Sequence, residues 1–174
     1  MICIMDLPIS SHNIIVEALP SPLIYTLDLI GLFGPAILFV ISLWYLWGNG
    51  IYWTWNIVLF CINIIINSGL KDWIKESRPV GGRSMTTYET YKGAQEYGMP
   101  SGHSQLVSGL VTYSYLVKPS TMNLISGLFI ISLTLYQRWK YKRHSIEQLG
   151  VGAVVGILVS YISYTLITKG ITGQ

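Results

Sequence analysis

Five uncharged stretches alternate with three short polar islands along this chain. Residues 29–47 carry no charge and end in Trp44, Tyr45 and Trp47, the aromatic belt expected where a helix leaves a bilayer. Gly48, Asn49 and Gly50 mark a tight turn. Residues 51–70 are again uncharged and long enough to cross a membrane as a helix. The region from Lys71 to Met99 is polar, rich in glycine and tyrosine, and unsuited to contact with lipid. A helix opening near Ser101 continues through residues 104–117, residues 119–137 form a fourth apolar stretch, and residues 148–168 a fifth. Gly152 and Gly156 form a small-xxx-small pair suited to close helix contact. The pattern predicts an all-α, polytopic transmembrane bundle of about five spanning helices. Residues 1–22, mixed in character and containing Pro8, Pro20 and Pro22, read as a terminal tail or interfacial segment, which leaves 23–174 as one transmembrane domain.

Composition sharpens this picture. A length of 174 residues fits one domain, and 51% hydrophobic against 11% charged residues is far from the soluble balance. The formal charge of +3 sits in a few short connections, so no nucleic-acid partner is expected. Cys3 and Cys61 make neither a disulfide framework nor a metal motif. The first residues contain Asp6 and Glu17 but no basic residue, so no cleavable signal peptide is expected. With five crossings, the end of the second helix, the start of the third, the end of the fourth and the start of the fifth emerge on one membrane face. Those are the places of the three islands. Of the 11 Lys and Arg residues only Lys118 and Lys169 belong to the other face, leaving nine on the first.

The first island runs Lys71-Asp-Trp-Ile-Lys-Glu-Ser-Arg78-Pro79. If the second helix runs on, Lys71 and Arg78 share a face two turns apart, with Lys75 between them and Pro79 as the stop. Arg offers phosphate a planar fork and Lys a mobile point charge. A snorkelling basic helix end is the plainer account of this island taken alone. The second island, Tyr97-Gly-Met-Pro-Ser101-Gly102-His103-Ser-Gln105, opens an apolar helix with free backbone N–H groups, an anion site, and puts an imidazole on the first turn where it can give a proton to a departing oxygen. In the third island, Arg138 and His144 would lie on different sides of one continuous helix, so a break between them is needed. His144 and Gln148, four apart, share a face, so Gln148 can accept from the His Nδ1–H and leave Nε2 free to attack phosphorus. Lys140, Lys142 and Arg143 also fit a basic loop against anionic headgroups.

Lys71 with six residues before Arg78-Pro79, then Pro100-Ser-Gly-His103, then Arg138 with five residues before His144, resembles the three-part signature of the type 2 phosphatidic acid phosphatase (PAP2) superfamily. The resemblance implies that Lys71, Arg78 and Arg138 hold phosphate, that His144 is the nucleophile and that His103 is the general acid. Ser101 and Gly102 would add backbone donors to the phosphate, with no metal or other cofactor. Two positions depart from the common pattern. Gln137 stands where Ser usually precedes the third-motif Arg, and Gln148 stands where the superfamily usually has Asp. A neutral amide orients an imidazole but does not stabilise its positive charge. Glu147, three residues from His144, is a candidate substitute carboxylate. The dolichyl-diphosphatase branch resembles this chain at Gln148 and over residues 97–105. The expectation is therefore a phosphatase that converts a polyprenyl diphosphate to the monophosphate through a phosphohistidine, with a lipid phosphate or diphosphate in the bilayer as its partner and no obligate protein partner evident. A phosphatidate or other lipid monophosphate phosphatase stays open, because the motifs barely contact the tail. A catalytically weak phospholipid-binding protein also stays open, because of Gln148. The positive-inside tendency would place the basic face in the cytosol. The resemblance places the site toward the endoplasmic reticulum lumen or the cell exterior, and the expectation follows the resemblance.

Overall fold

In the computed structural model, which describes residues 21–86 and 97–172, the described chain forms five helices: α1 (Pro22–Tyr45), α2 (Gly50–Ile74), α3 (Gly102–Val117), α4 (Thr121–Lys140) and α5 (Ile146–Thr172). The tail expected at residues 1–22 lies almost wholly outside the described residues. Three helices, α1, α2 and residues 146–170 of α5, are long and apolar enough to cross a membrane. The other two differ for separate reasons. Helix α3 has only 16 residues, and α4 is diluted by Ser126, Ser132, Thr134 and Gln137. The chain is thus a helical membrane protein, and among the described residues three of the five helices have the length and composition of a span on their own.

Helix α3 is the hub and touches all four others. Its shortness is tolerable because it is wrapped by protein, and Val107, Leu110, Val111 and Tyr113 are buried along it. Large apolar side chains point outward instead, among them Val40, Ile65, Leu128, Phe129, Leu158 and Leu166. Where lipid is the surrounding medium, that surface needs no polar groups and the interior can hold them. Asn56, Asn63 and Asn67 accordingly form a buried stripe along α2.

Local chemistry explains where the helices end. Ser21 accepts from the Ile24 N–H at 3.4 Å and Pro22 occupies the first helical turn, so α1 starts before the uncharged stretch that begins at Leu29. Asp28 can lie inside α1, buried, because Lys140 Nζ reaches it at 2.6 Å and the Tyr141 hydroxyl donates to it at 2.9 Å. Helix α2 stops earlier than expected. Lys75 takes a left-handed conformation at φ 54° and ends the helix there, so Pro79 terminates nothing and Arg78 lies beyond the helix. The break expected between Arg138 and His144 is present. Helix α4 ends at Lys140, Lys142 turns the chain at φ 50°, and the Arg138 carbonyl accepts from the Arg143 N–H at 2.9 Å.

Close approach holds α5 against α3. A Cβ on Gly152 would lie 2.5 Å from the Ser101 carbonyl oxygen, and Gly156 packs on the Gln105 backbone in the same way. The Ser104 hydroxyl donates to the Leu149 carbonyl at 2.6 Å and the Ser160 hydroxyl to the Gly109 carbonyl at 2.9 Å. Gly152→Ala should therefore lower stability by about 1–3 kcal/mol through overpacking. Gly150→Ala, which meets nothing within 4 Å, should leave it unchanged or slightly raised. Thermal unfolding of the two variants in detergent checks the contrast.

Candidate active site

The corner that opens α3 is fixed first, because three buried amides leave it no choice of position. Gln105 Nε2 donates to the Asn63 carbonyl at 3.0 Å, which fixes which end of that amide is nitrogen. Its oxygen then accepts from Asn67 Nδ2 at 2.8 Å, and the same nitrogen donates to the Pro100 carbonyl at 3.1 Å. Gly102 packs closely here, since a Cβ would sit 3.0 Å from Asn67 Oδ1 and press on that amide. Ser101 is fully buried. Its N–H donates to the Gln148 carbonyl at 3.0 Å, and its hydroxyl caps α3 by accepting from the Ser104 N–H at 3.5 Å. Ser101 thus ties α3 to α5, and the free donors of this helix start are the N–H groups that follow it.

Gln148 organises the third island. Its Oε1 accepts from the Ser145 N–H at 3.3 Å, and its Nε2 donates to Glu76 Oε1 at 2.8 Å and to the Ser77 carbonyl at 2.9 Å. Those three partners admit one orientation of the amide. His144 Nδ1, 3.2 Å from Gln148 Oε1, must therefore carry the proton. His144 Nε2 consequently holds a lone pair, which accepts from Arg78 Nη1 at 3.2 Å. Arg78 itself is steadied by donating to the Arg143 carbonyl at 2.9 Å. Burial first, then the charges of Arg78, Lys71 and Arg138, push the His144 pKa far below its ordinary 6.5, with the Gln148 hydrogen bond pulling weakly the other way. The imidazole is held neutral, with its Nε2 lone pair turned toward Arg78.

His103 lies on the first turn of α3 and faces α1 and α4. Its Nε2 is 3.2 Å from the Leu32 carbonyl and 3.3 Å from Arg138 Nη1. Leu32 can only accept and Arg138 can only donate. A proton on Nε2 is held by Leu32, and a lone pair there is held by Arg138, so either protonation state finds a partner. Lys71, in the last turn of α2, is buried at 6% exposure, and Arg138 in the last turn of α4 at 3%. The three islands expected to share one face thus meet in one polar cup.

Some partners were not legible beforehand. Glu147 is exposed, and the carboxylate that reaches Gln148 is Glu76, from the first island. The stripe of Asn56, Asn63 and Asn67 at helical spacing in an apolar stretch was a sequence signal for the α3 corner. For the Leu32 carbonyl the sequence offers only Pro35, three residues on inside α1. Among the described residues no group of three or more His, Cys, Asp or Glu side chains gathers as a metal ion needs.

Comparison with known proteins covers the stretch of chain that holds these residues. The sequence pattern of the PAP2 superfamily matches residues 52–171. The dolichyldiphosphatase of Saccharomyces cerevisiae is 31% identical over 116 residues, which are 61% of this chain and 48% of that protein. The chain thus spans about half the length of the curated relative it matches. A transmembrane PAP2-type phosphatidylglycerolphosphate phosphatase from Bacillus subtilis superposes with a TM-score of 0.65 over 87% of this chain and 80% of that one, at 18% identity, a likeness of fold.

Imidazole titration by 15N NMR should show His144 neutral well below pH 6.5. Arg78→Gln should raise its midpoint by removing a positive neighbour. Because the folded pKa lies below the unfolded one, the unfolded chain binds the proton first, and stability should fall as pH drops below about 6.5.

Proposed function

Because the chain belongs to the PAP2 superfamily, we propose that it is an integral-membrane lipid phosphatase that hydrolyses a polyprenyl diphosphate, of the dolichyl type, to the monophosphate. The observation that carries this reading is the state of His144: Nδ1–H is held by Gln148, and Nε2 is presented as a lone pair beside Arg78. A terminal phosphoryl oxygen arriving there takes over the Arg78 N–H that otherwise caps the nucleophile. Lys71, Arg78 and Arg138 then offset the charge on the phosphoryl oxygens, and the Gly102 and His103 amides at the start of α3 add donors.

His144 Nε2 attacks the terminal phosphorus. The P–N bond forms, the bond from phosphorus to the bridging oxygen breaks, and the departing lipid monophosphate takes a proton from His103 Nε2. With that proton gone, Arg138 Nη1 holds the exposed lone pair. Water then attacks the phosphohistidine, His103 regains a proton, and the P–N bond breaks to release inorganic phosphate. The apolar chain stays in the bilayer against the outward-facing apolar side chains. Similarity to a dolichyldiphosphatase and the Gln at position 148 favour the diphosphate over phosphatidate as substrate. On the same ground we place the protein in the endoplasmic reticulum, crossing the membrane five times, with the site toward the lumen.

Phosphate release by purified protein given polyprenyl diphosphate, with phosphatidate as competitor, tests the substrate class. Preference for phosphatidate would replace the diphosphate reading, and inertness toward both would favour a lipid-binding role. His144→Ala should reduce turnover at least a hundredfold with folding intact, since no other group has the reach to attack. His103→Ala should lose much less rate on an aryl phosphate with an acidic leaving group than on the lipid, because a general acid matters in proportion to the proton demand of the leaving oxygen.

A further inference from the structure

The superfamily's usual carboxylate beside the nucleophile is missing at position 148, yet a carboxylate stands one hydrogen bond further back. Glu76 Oε1 accepts from Gln148 Nε2 at 2.8 Å, and Gln148 Oε1 accepts from His144 Nδ1 at 3.2 Å. We propose that Glu76 is the charge-bearing positioning residue of this site, acting on His144 through the Gln148 amide as a carboxylate–amide–imidazole relay.

The contact is built into the fold. Glu76 follows the left-handed residue Lys75 that ends α2, and its carbonyl accepts from the Gly98 N–H at 2.7 Å. Ser77 pairs with Tyr97 in an isolated antiparallel bridge, which pins the same segment a second time. Gly98 lies directly on the Gln148 amide, where a side chain would displace it. Gln148 is itself 1% exposed, so its polarisation by a charged acceptor is little screened along the chain of bonds. A negative acceptor on Nε2–H makes Oε1 a stronger acceptor for the His144 Nδ1–H. As His144 attacks and gains positive charge, that bond stabilises it. Glu76 is on the exposed side of the relay, so its direct Coulomb effect on the imidazole is small, and the relay works through the amide.

In this arrangement a carboxylate at 148 and one at 76 would oppose each other. Gln148→Asp alone would set a second negative group against Glu76 and the Ser77 carbonyl, both acceptors. Removing the Glu76 charge at the same time relieves that conflict and restores one negative charge, now directly on the imidazole.

This relay rests on the phosphatase reading, and the experiment separates the two. Phosphate release from a lipid diphosphate is measured for wild type, Glu76→Gln, Gln148→Asp, the double variant and His144→Ala, with thermal unfolding as a fold control. Glu76→Gln keeps the acceptor and deletes only the charge. It should lower kcat about tenfold with KM within about twofold, the lower end of the loss when a carboxylate behind a metal-ligating histidine is removed. Gln148→Asp should lose more, and the double variant should recover to at least the level of Glu76→Gln. A purely structural role for Glu76 predicts no such rescue. Wild-type kcat in Glu76→Gln, or a double variant no better than Gln148→Asp, overturns the relay while the wild type and His144→Ala still decide the phosphatase reading. If wild type itself releases no phosphate, that reading fails, and the relay is judged by NMR. The His144 Nδ1–H proton resonance should move upfield in Glu76→Gln as its hydrogen bond weakens, and an unmoved resonance sinks the proposal.

Discussion

A primary amide with two donors and two acceptor positions, buried at the start of α5, sets the terms for the rest of the site. Gln148 can be held there only if each polar position finds a partner, because an unmet group at 1% exposure carries its full desolvation penalty. It draws Glu76 and Ser77 from the segment after α2, Ser145 from the turn before α5, and His144 from the same turn. Its backbone carbonyl also accepts from Ser101 at the start of α3. One residue thus joins all three polar islands, and its own satisfaction decides the tautomer of the imidazole beside it.

The rest of the architecture serves that junction by inverting the soluble pattern. Apolar side chains cover the outside, while asparagines, serines and glutamines run through the interior. Glycines at the contact between α5 and α3 let backbones approach within reach of Ser104 and Ser160 hydroxyls. Helix α3 can be short because protein wraps most of it, and its N-terminal end stops in the polar cup. The two histidines then differ by environment alone. His144 has an acceptor on Nδ1 and a donor on Nε2 and stays neutral. His103 has a donor and an acceptor converging on one nitrogen, which suits a group that gives and regains a proton.

Much of this was legible in the residues because it depends on local spacing. Long uncharged stretches mark helices in lipid, and the clustering of charge in alternate connections puts three islands on one face. His144 and Gln148 sit four apart, so a helical start alone brings Nδ1 to the amide oxygen. The need for a break between Arg138 and His144 followed from the same periodicity, and the positive-φ residue Lys142 supplies it.

Other features lay beyond that reach. The end of α2 at Ile74 turns on Lys75 adopting a conformation that its sequence does not advertise, so Arg78 approaches His144 from an extended segment and not from a helix face. Glu76 and Gln148 are 72 residues apart, and His103 and Leu32 71 apart. No periodicity connects such positions, and in Leu32 the interacting group is a backbone carbonyl that any residue would supply. The sequence by itself determined which side chains could carry phosphate chemistry and that their three islands fall in connections of the same side. Only the tertiary structure decided which carboxylate reaches the amide behind His144, because that depends on how helix ends far apart in the chain are packed against one another.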